Sequence, residues 1–218
     1  MVEKLFSNQV VALKATQGMW DGDLYPEEQE CIRKAVPKRR REFTAGRLCA
    51  REVLFRLGID DFPLLVGPGR APLWPQNIVG SISHCTNLCI VAATKDKRIK
   101  GLGVDVEVAE PLEISVKELV CTEKEKQWIA DTQPRIGPDL AKIIFSAKES
   151  FYKCLFPFTR RSLDFMDVQV VIDTHTNEFD VELINEQAAY CVKQYNLTGR
   201  FFYSDDFVFT GVELRRQD

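Results

Sequence analysis

Hydrophobic positions in this 218-residue chain follow helical spacing in two long segments and strand spacing in many short ones, which predicts an α+β protein. One helix is expected from residue 37 to about 57, with Pro37 at its start and Gly58 as its stop. A longer helix is expected over residues 139–156, where apolar side chains recur along one face.

Shorter segments with strand spacing lie between and after the two helices. Those before residue 110 are 61–67, 78–84, 88–94 and 101–107. Those near the C-terminus are about 164–174, 178–184 and 200–214, the last broken by a turn at 204–206. Segment 67–75 holds three prolines and two glycines and is expected to be a loop. Thr122 and Glu125 form a capping-box pattern that should open a further helix.

Charge is unevenly distributed along the chain. The net charge is −3, which disfavours a general nucleic-acid-binding protein, yet residues 33–56 hold nine Lys or Arg against two Glu. A basic segment in an acidic protein indicates a dedicated anion site. Seven irregularly spaced cysteines and no secretory leader indicate a cytoplasmic protein with reduced thiols, and no apolar run is long enough to span a membrane.

Two acidic residues close one of the predicted strands. Asp105 and Glu107 alternate with valines, so both carboxylates point to one face, about 6.6 Å apart at Cα. Carboxylates at this separation can converge on a hard cation, and Mg²⁺ prefers a few carboxylates together with water and substrate phosphate. The simpler alternative is a solvated acidic face on an edge strand.

A second pair of charged residues lies within the predicted helix 139–156. Glu149 and Lys153 are separated by one helical turn and share a face with Lys142 and Phe145, away from the apolar face. They could provide a third carboxylate for a cation and a positive charge for a phosphate. The alternative is an ordinary surface ion pair, which contributes only about 0.3–0.5 kcal/mol.

Two further features are candidates for binding phosphate. Ser83 and His84 end a strand, where His84 is either a buried structural side chain or a hydrogen-bond donor to phosphate. Arg47 and Arg51 lie one turn apart, and an anion between them would relieve their repulsion, whereas the alternative is a solvated helix face.

Taken in order, these motifs resemble the 4′-phosphopantetheinyl transferases of the surfactin-synthetase-activating type, and the enterobactin-biosynthesis subgroup most closely. The segments that carry the resemblance are 40–51 (RREFTAGRLCAR), 67–75 (GPGRAPLWP), 80–84 (GSISH), 103–107 (GVDVE) and 145–153 (FSAKESFYK). The resemblance runs from about residue 38 to 156, and its last two motifs are highly specific as a pair.

The resemblance implies two similar α+β halves packed about a pseudo-twofold axis, with the site in the cleft between them. A faint internal echo agrees with this, because the spacing of residues 43–51 recurs in 145–153. We therefore expect an N-terminal half at 1–103, with the basic helix and the Ser-His strand. A C-terminal half at 104–218 should hold the carboxylates and the catalytic helix.

The implied activity is Mg²⁺-dependent transfer of the 4′-phosphopantetheine of coenzyme A to a serine of an acyl or peptidyl carrier protein, releasing 3′,5′-ADP. The carrier could serve siderophore, polyketide, lipid or peptide synthesis. Mn²⁺ could replace Mg²⁺. We expect a cytoplasmic monomer that binds neither nucleic acid nor membrane.

The resemblance also implies roles for individual residues. Asp105, Glu107 and Glu149 would hold the metal, with Glu149 also acting as general base and Lys153 as a catalytic cation. The residues expected to bind CoA are Arg39, Arg47, Arg70, Ser83, His84, Lys148 and Lys153.

Two other function classes remain open at this stage. A nucleotide-binding module without turnover would explain the basic helix but leaves the three carboxylates without a role. A Mg²⁺-dependent phosphohydrolase would use the carboxylates but would need no carrier protein.

Overall fold

A computed structural model describes residues 2–133, 138–160, 163–184, 189–190 and 192–217, and in these ranges α-helices pack on two antiparallel sheets. The helices are α1 (Pro26–Cys31), α2 (Pro37–Arg56), α3 (Ile114–Val120), α4 (Glu123–Thr132) and α5 (Leu140–Thr159). The strands are β1 (Val11–Lys14), β2 (Val79–Cys85), β3 (Leu88–Thr94), β4 (Ile99–Val108), β5 (Val168–Asp173), β6 (Glu178–Leu183), β7 (Tyr195–Tyr203) and β8 (Phe207–Arg216). The predicted α+β class is confirmed.

The N-terminal half packs α2 against a three-stranded sheet with the order β1-β3-β2. Pro37 occupies the first turn of α2, and Gly58 follows its end with φ of +82°, as the sequence predicts. All of β3 is buried. Because strand side chains alternate, one set of β3 residues packs under α2 and the other set packs towards β4.

The C-terminal half packs α5 against a five-stranded sheet with the order β4-β8-β7-β6-β5. Asp139 caps the N-terminus of α5 by accepting a hydrogen bond from the Ala141 N–H (2.9 Å). Thr122 and Glu125 form the predicted capping box at α4. Both halves thus place a 20-residue helix on an antiparallel sheet.

The two sheets meet where β2 and β4 lie side by side without pairing as strands. Ser81 Oγ accepts a hydrogen bond from the Val104 N–H (3.1 Å), and Ser83 Oγ accepts one from the Val106 N–H (3.3 Å). Backbone N–H groups buried at a sheet edge need partners, and these serines supply them. We call this contact between β2 and β4 the seam.

The whole of β4 belongs to the C-terminal sheet, because it pairs with β8 from Ile99 to Val108. The boundary that we expected between residues 103 and 104 would cut this strand. We therefore propose that the two halves divide before Ile99.

One expected strand, at residues 61–67, does not form. In this segment only Val66 makes a bridge, to Pro72. The physical reason is local: Asp61 has φ of +49°, and Pro63 has no N–H to donate to a neighbouring strand.

None of the helices in the described ranges is long and apolar enough to cross a membrane.

Two glycines allow α5 to lie directly on β4. A Cβ atom at Gly101 would lie 2.7 Å from Cys154 Sγ, and one at Gly103 would lie 1.8 Å from the Ser150 carbonyl oxygen. Because the second contact is with backbone, no side-chain rotation can relieve it. The glycine at 103 therefore sets the distance between α5 and the strand that carries Asp105.

We predict that Gly103→Ala lowers the free energy of unfolding by about 3 kcal/mol or more, since helix and strand must separate. Urea denaturation followed by circular dichroism measures this change. Gly18→Ala is the matched control, because a Cβ at Gly18 meets nothing within 4 Å. Equal midpoints for the two variants would contradict the packing argument.

Candidate active site

Asp105 lies at the centre of the seam, with 2% of its surface exposed. Its Oδ1 accepts hydrogen bonds from Ser83 Oγ (2.9 Å) on β2 and from Lys153 Nζ (2.5 Å) on α5. Its Oδ2 accepts one from Ser146 Oγ (2.8 Å), also on α5. A buried carboxylate is tolerated only when it is paired and hydrogen-bonded, and here both halves of the molecule supply the donors.

Helical spacing on α5 brings three of the site residues to one face. Ser146, Glu149 and Lys153 are separated by three and four residues, so they follow one another along the helix. Thr210 on β8 fixes the first turn of this face by donating a hydrogen bond to the Ser146 carbonyl (2.8 Å). The face of α5 that carries Glu149 therefore points towards the seam.

Glu107 and Glu149 share a cavity of about 340 Å³ with Asp105, Lys153 and His84. Burial, reinforced by the charge of Asp105, raises the pKa of Glu107 to about 7. Burial also raises the pKa of Glu149, against the opposing effect of Lys153. Within the described residues, neither carboxylate makes a hydrogen bond or ion pair that would offset its negative charge.

The donor chemistry of this cavity fits a hard divalent cation. Three carboxylates line it, and the raised pKa values of Glu107 and Glu149 show that the protein alone does not compensate their negative charge. Across the described ranges, no three His, Cys, Asp or Glu side chains form a ready-made metal cluster. Lys153 Nζ forms an ion pair with Asp105 Oδ1 (2.5 Å) at the edge of this cavity.

His84 lies at the junction of this cavity and a second, basic cleft of about 410 Å³, since it lines both. Arg39 Nη1 donates a hydrogen bond to His84 Nε2 (2.7 Å). Glu42 approaches both side chains, with Oε2 3.7 Å from His84 Nδ1 and 3.8 Å from Arg39 Nη1. Burial lowers the pKa of His84, and the positive charge of Arg39 adds to that effect.

Arg39, Arg47 and Arg70 all line the basic cleft. Arg47 is 6% exposed, its guanidinium lies over the Phe43 ring (4.0 Å to the centroid), and its buried Nε has no hydrogen-bond partner in the structure. Burial lowers the pKa of Arg47 to about 10, which leaves it charged at neutral pH. A buried guanidinium without an acceptor, facing a cleft, is suited to binding an anion.

Arg51 does not contribute to this anion site. Its guanidinium lies over the Tyr25 ring and pairs with the buried carboxylate of Glu28 (3.3 Å). The expectation that one anion lies between Arg47 and Arg51 is therefore wrong, because Glu28 already serves as the counter-ion of Arg51.

The assignment of Lys148 to CoA also needs correction. Lys148 is 3% exposed, and its three N–H donors are used by Glu125 Oε2 (2.8 Å), the Val120 carbonyl (2.8 Å) and the Phe165 carbonyl (2.9 Å). No donor remains for a phosphate. Lys148 instead joins α5 to α4 and to the segment before β5.

The hydroxyl of Ser83 is committed to the seam in the same way. It donates to Asp105 and accepts from Lys153 Nζ (2.9 Å) and the Val106 N–H (3.3 Å). A hydroxyl has one proton and two lone pairs, and all are in use. Ser83 therefore positions Asp105 and does not offer its hydroxyl to CoA.

Sequence reasoning missed two residues of the site. Ser146 lies three residues before Glu149, so the helical spacing that singled out Glu149 and Lys153 could also have found it. Glu42 gave no comparable signal, since a single acidic residue in a basic helix resembles an ordinary surface charge.

Comparison with known families covers most of the chain. The family model described as "4'-phosphopantetheinyl transferase superfamily" matches residues 101–210, and the one described as "4'-phosphopantetheinyl transferase N-terminal domain" matches residues 27–94. The chain belongs to the 4′-phosphopantetheinyl transferase superfamily. The two matches divide between residues 94 and 101, around the start of β4, which agrees with a division of the halves before Ile99.

Curated relatives in this superfamily show similar coverage. The chain is 38% identical over 163 residues to 4′-phosphopantetheinyl transferase Svp of Streptomyces mobaraensis, covering 74% of this chain and 66% of that protein. It is 29% identical to 4′-phosphopantetheinyl transferase Npt of Nocardia iowensis, covering 97% and 99%. Enterobactin synthase component D of Salmonella typhi is 32% identical, covering 60% and 54%, which supports the predicted relation to that subgroup.

We predict that Lys148→Met lowers the free energy of unfolding by about 3–5 kcal/mol, because it leaves the buried Glu125 without its counter-ion. Urea denaturation gives the value, and Lys124→Met, at an exposed position on α4, is the control. The folded fraction of Lys148→Met should bind CoA normally. A stable variant with weak CoA binding would restore the original assignment.

A second prediction concerns pH and metal. Since the folded pKa of Glu107 is raised from 4.5 to about 7, its contribution to stability is present below pH 4.5 and is lost as the pH rises through 7. The melting temperature of metal-free protein should fall more steeply over this range in wild type than in Glu107→Gln. Saturating Mg²⁺ at pH 7.5 should raise the melting temperature of wild type but not that of Glu107→Gln.

Glu182→Gln is the control for this experiment, because Glu182 is an exposed carboxylate on β6. Its pH slope and its response to Mg²⁺ should match those of wild type. Identical slopes for wild type and Glu107→Gln would show that Glu107 titrates normally and does not belong to a cation site.

Proposed function

We propose that this protein transfers the 4′-phosphopantetheine of coenzyme A to a serine of an acyl or peptidyl carrier protein, in a Mg²⁺-dependent reaction that releases 3′,5′-ADP. The observation that carries the proposal is the juxtaposition of two clefts. A cavity with three carboxylates and a lysine adjoins a cleft with three arginines, and Ile82 and His84 line both.

The basic cleft is suited to the phosphates of coenzyme A. Arg39, Arg47, Arg70 and His84 line it, and the buried Nε of Arg47 has no hydrogen-bond partner. Charge-assisted hydrogen bonds from arginine suit phosphate oxygens, so this cleft would hold the nucleotide end of the substrate. The pyrophosphate would then reach the carboxylate cavity beside His84.

The carboxylate cavity is suited to activate a hydroxyl. Glu149 lines this cavity beside Lys153 and makes no hydrogen bond or ion pair among the described residues, so its carboxylate would take the proton of the carrier serine. The serine oxygen would form a bond to the phosphorus that bears pantetheine, and the bond from that phosphorus to the bridging oxygen would break. Lys153 would neutralise the phosphate that leaves with 3′,5′-ADP.

Asp105, Glu107 and Glu149 are the residues that would hold Mg²⁺, or Mn²⁺ in its place. The metal would neutralise charge on the pyrophosphate. Lys153 now contacts Asp105, so it would have to release one carboxylate oxygen when a cation binds.

The match to enterobactin synthase component D makes a siderophore carrier the first substrate to test. Polyketide and nonribosomal-peptide carriers use the same serine chemistry and complete the panel. A cytoplasmic monomer remains our expectation.

The proposal is tested by mass spectrometry of this panel of apo-carriers after incubation with CoA, with and without Mg²⁺. A gain of one phosphopantetheine on a carrier, dependent on Mg²⁺ and accompanied by 3′,5′-ADP, is the expected result. Cleavage of CoA without a carrier would indicate a phosphohydrolase. Tight CoA binding with no cleavage on any carrier would indicate a binding module.

We predict that Glu149→Gln lowers kcat by at least about 10²-fold, because it removes the proton acceptor while keeping the shape of the side chain. Wild-type single-turnover rates should rise with pH as Glu149 ionises, and the variant should lack that rise. Lys153→Met should lose kcat in a way that added Mg²⁺ does not restore. Glu182→Gln is the control, and full rates in both site variants would remove α5 from the mechanism.

A further inference from the structure

Glu42 is an acidic residue inside a cleft that is otherwise suited to anions. It lies on α2 between Arg39 and Arg47 and lines the basic cleft with them. Its side chain is 12% exposed. In the described part of the chain its carboxylate makes no hydrogen bond, and its nearest charged neighbours are Arg39 and His84 at 3.8 and 3.7 Å. A carboxylate here should repel a phosphate unless it has another role.

The hydrogen bond between Arg39 and His84 defines the protonation state of the imidazole. Arginine has only donors, so His84 Nε2 must accept, and the ring proton must lie on Nδ1. Nδ1 is the atom that faces Glu42. In the ligand-free state, His84 is therefore neutral and offers no donor to an anion in the cleft.

A phosphate beside Arg39 changes this balance. Phosphate oxygens are acceptors, so Nε2 can contact one only by donating. A change of tautomer would supply that donor but would leave an unprotonated Nδ1 facing the Glu42 carboxylate, whereas a second proton on the ring suits both neighbours. The resulting imidazolium would lie between the phosphate and Glu42. The other charged groups that act on His84 are Lys153 from α5 and Asp105 from β4, which form an ion pair with each other. Glu107 and Glu149 line a cavity with His84, but of the described carboxylates only Glu42 lies at ion-pair distance from a ring nitrogen, 3.7 Å from Nδ1.

We propose that Glu42 is a positioning residue whose carboxylate, 3.7 Å from His84 Nδ1, supplies the counter-charge that enables His84 to take up a proton when a CoA phosphate binds beside Arg39. This inference rests on the proposed function, since it assumes that CoA is the ligand of the basic cleft. It makes CoA binding a proton-coupled step. The proposal also predicts the direction of the effect of Glu42 on CoA affinity. A merely repulsive carboxylate would weaken CoA binding, whereas Glu42 should strengthen it.

The test is isothermal titration calorimetry of CoA at pH 7.5 in two buffers with different ionisation enthalpies, which gives the number of protons taken up for each CoA bound. Phosphomonoesters have a second pKa of about 6, so the ligand itself is almost fully ionised at this pH. Glu42→Gln removes the charge at the site. Glu52→Gln is the matched control, because Glu52 lies on the same helix and pairs with Arg56.

Wild type and Glu52→Gln should take up the same fraction of a proton. Glu42→Gln should take up less and bind CoA about tenfold more weakly, which corresponds to one hydrogen-bonded charge pair. Glu42→Asp, which keeps the charge, should recover most of the proton uptake. In a His84→Asn background, Glu42→Gln should have no further effect.

Kinetics provide a second readout. Glu42→Gln should raise the KM for CoA while leaving the KM for the carrier and kcat near their wild-type values. Equal proton uptake and affinity in wild type and Glu42→Gln, or tighter binding in the variant, would overturn the inference. If wild type does not bind CoA at all, the proposed function has failed instead, and the two failures are thereby distinguished.

Discussion

The buried carboxylate of Asp105 is the interaction on which the rest of this structure depends. A charge in this position is tolerated only while it is neutralised and hydrogen-bonded, and its partners come from β2 and from α5. The same contacts therefore join β2 of the N-terminal half to β4 and α5 of the C-terminal half, beside the apolar core that β3 and β4 share. They also fix the face of α5 that carries Glu149.

This arrangement divides the chemistry of the site between the halves. The N-terminal half supplies the arginines of the basic cleft, and the C-terminal half supplies the carboxylates. His84 is at the point where the two meet. Gly103 contributes by having no side chain, since any Cβ there would collide with the backbone of α5 and displace the carboxylates from the seam.

Local chemistry made much of the fold predictable. The bounds of α2, the start of α5, the capping box at Thr122 and the turn at 204–206 depend on residues close in sequence, and they appear within a residue of where the pattern placed them. Helix α5 continues to Thr159, beyond the expected end at residue 156. The apolar spacing of segment 61–67 is typical of a strand, but no strand forms there, because Pro63 has no N–H to donate to a neighbouring strand. Strand spacing predicted that Asp105 and Glu107 point to one face, and in the structure both line one cavity.

Tertiary contacts decided what the sequence could not predict. Lys148 and Lys153 lie on one helix and in one motif, yet only Lys153 contacts the seam, through Ser83 Oγ. The three donors of Lys148 are used by Glu125 and two backbone carbonyls. The role of Ser83 likewise became clear only when β2 lay beside β4. Nothing in the sequence distinguishes Glu42 from a surface charge, and only the structure places it beside Arg39 and His84.

The central claim is that the carboxylates at the seam and the adjoining basic cleft form one reaction centre. A crystal structure with CoA and Mn²⁺, with the metal located by anomalous scattering, tests it most directly. The account predicts a metal peak among Asp105, Glu107 and Glu149, with Lys153 moved onto a phosphate and Arg47 on the nucleotide end of CoA. CoA bound elsewhere, or CoA in the basic cleft with no metal at the carboxylates, would contradict it.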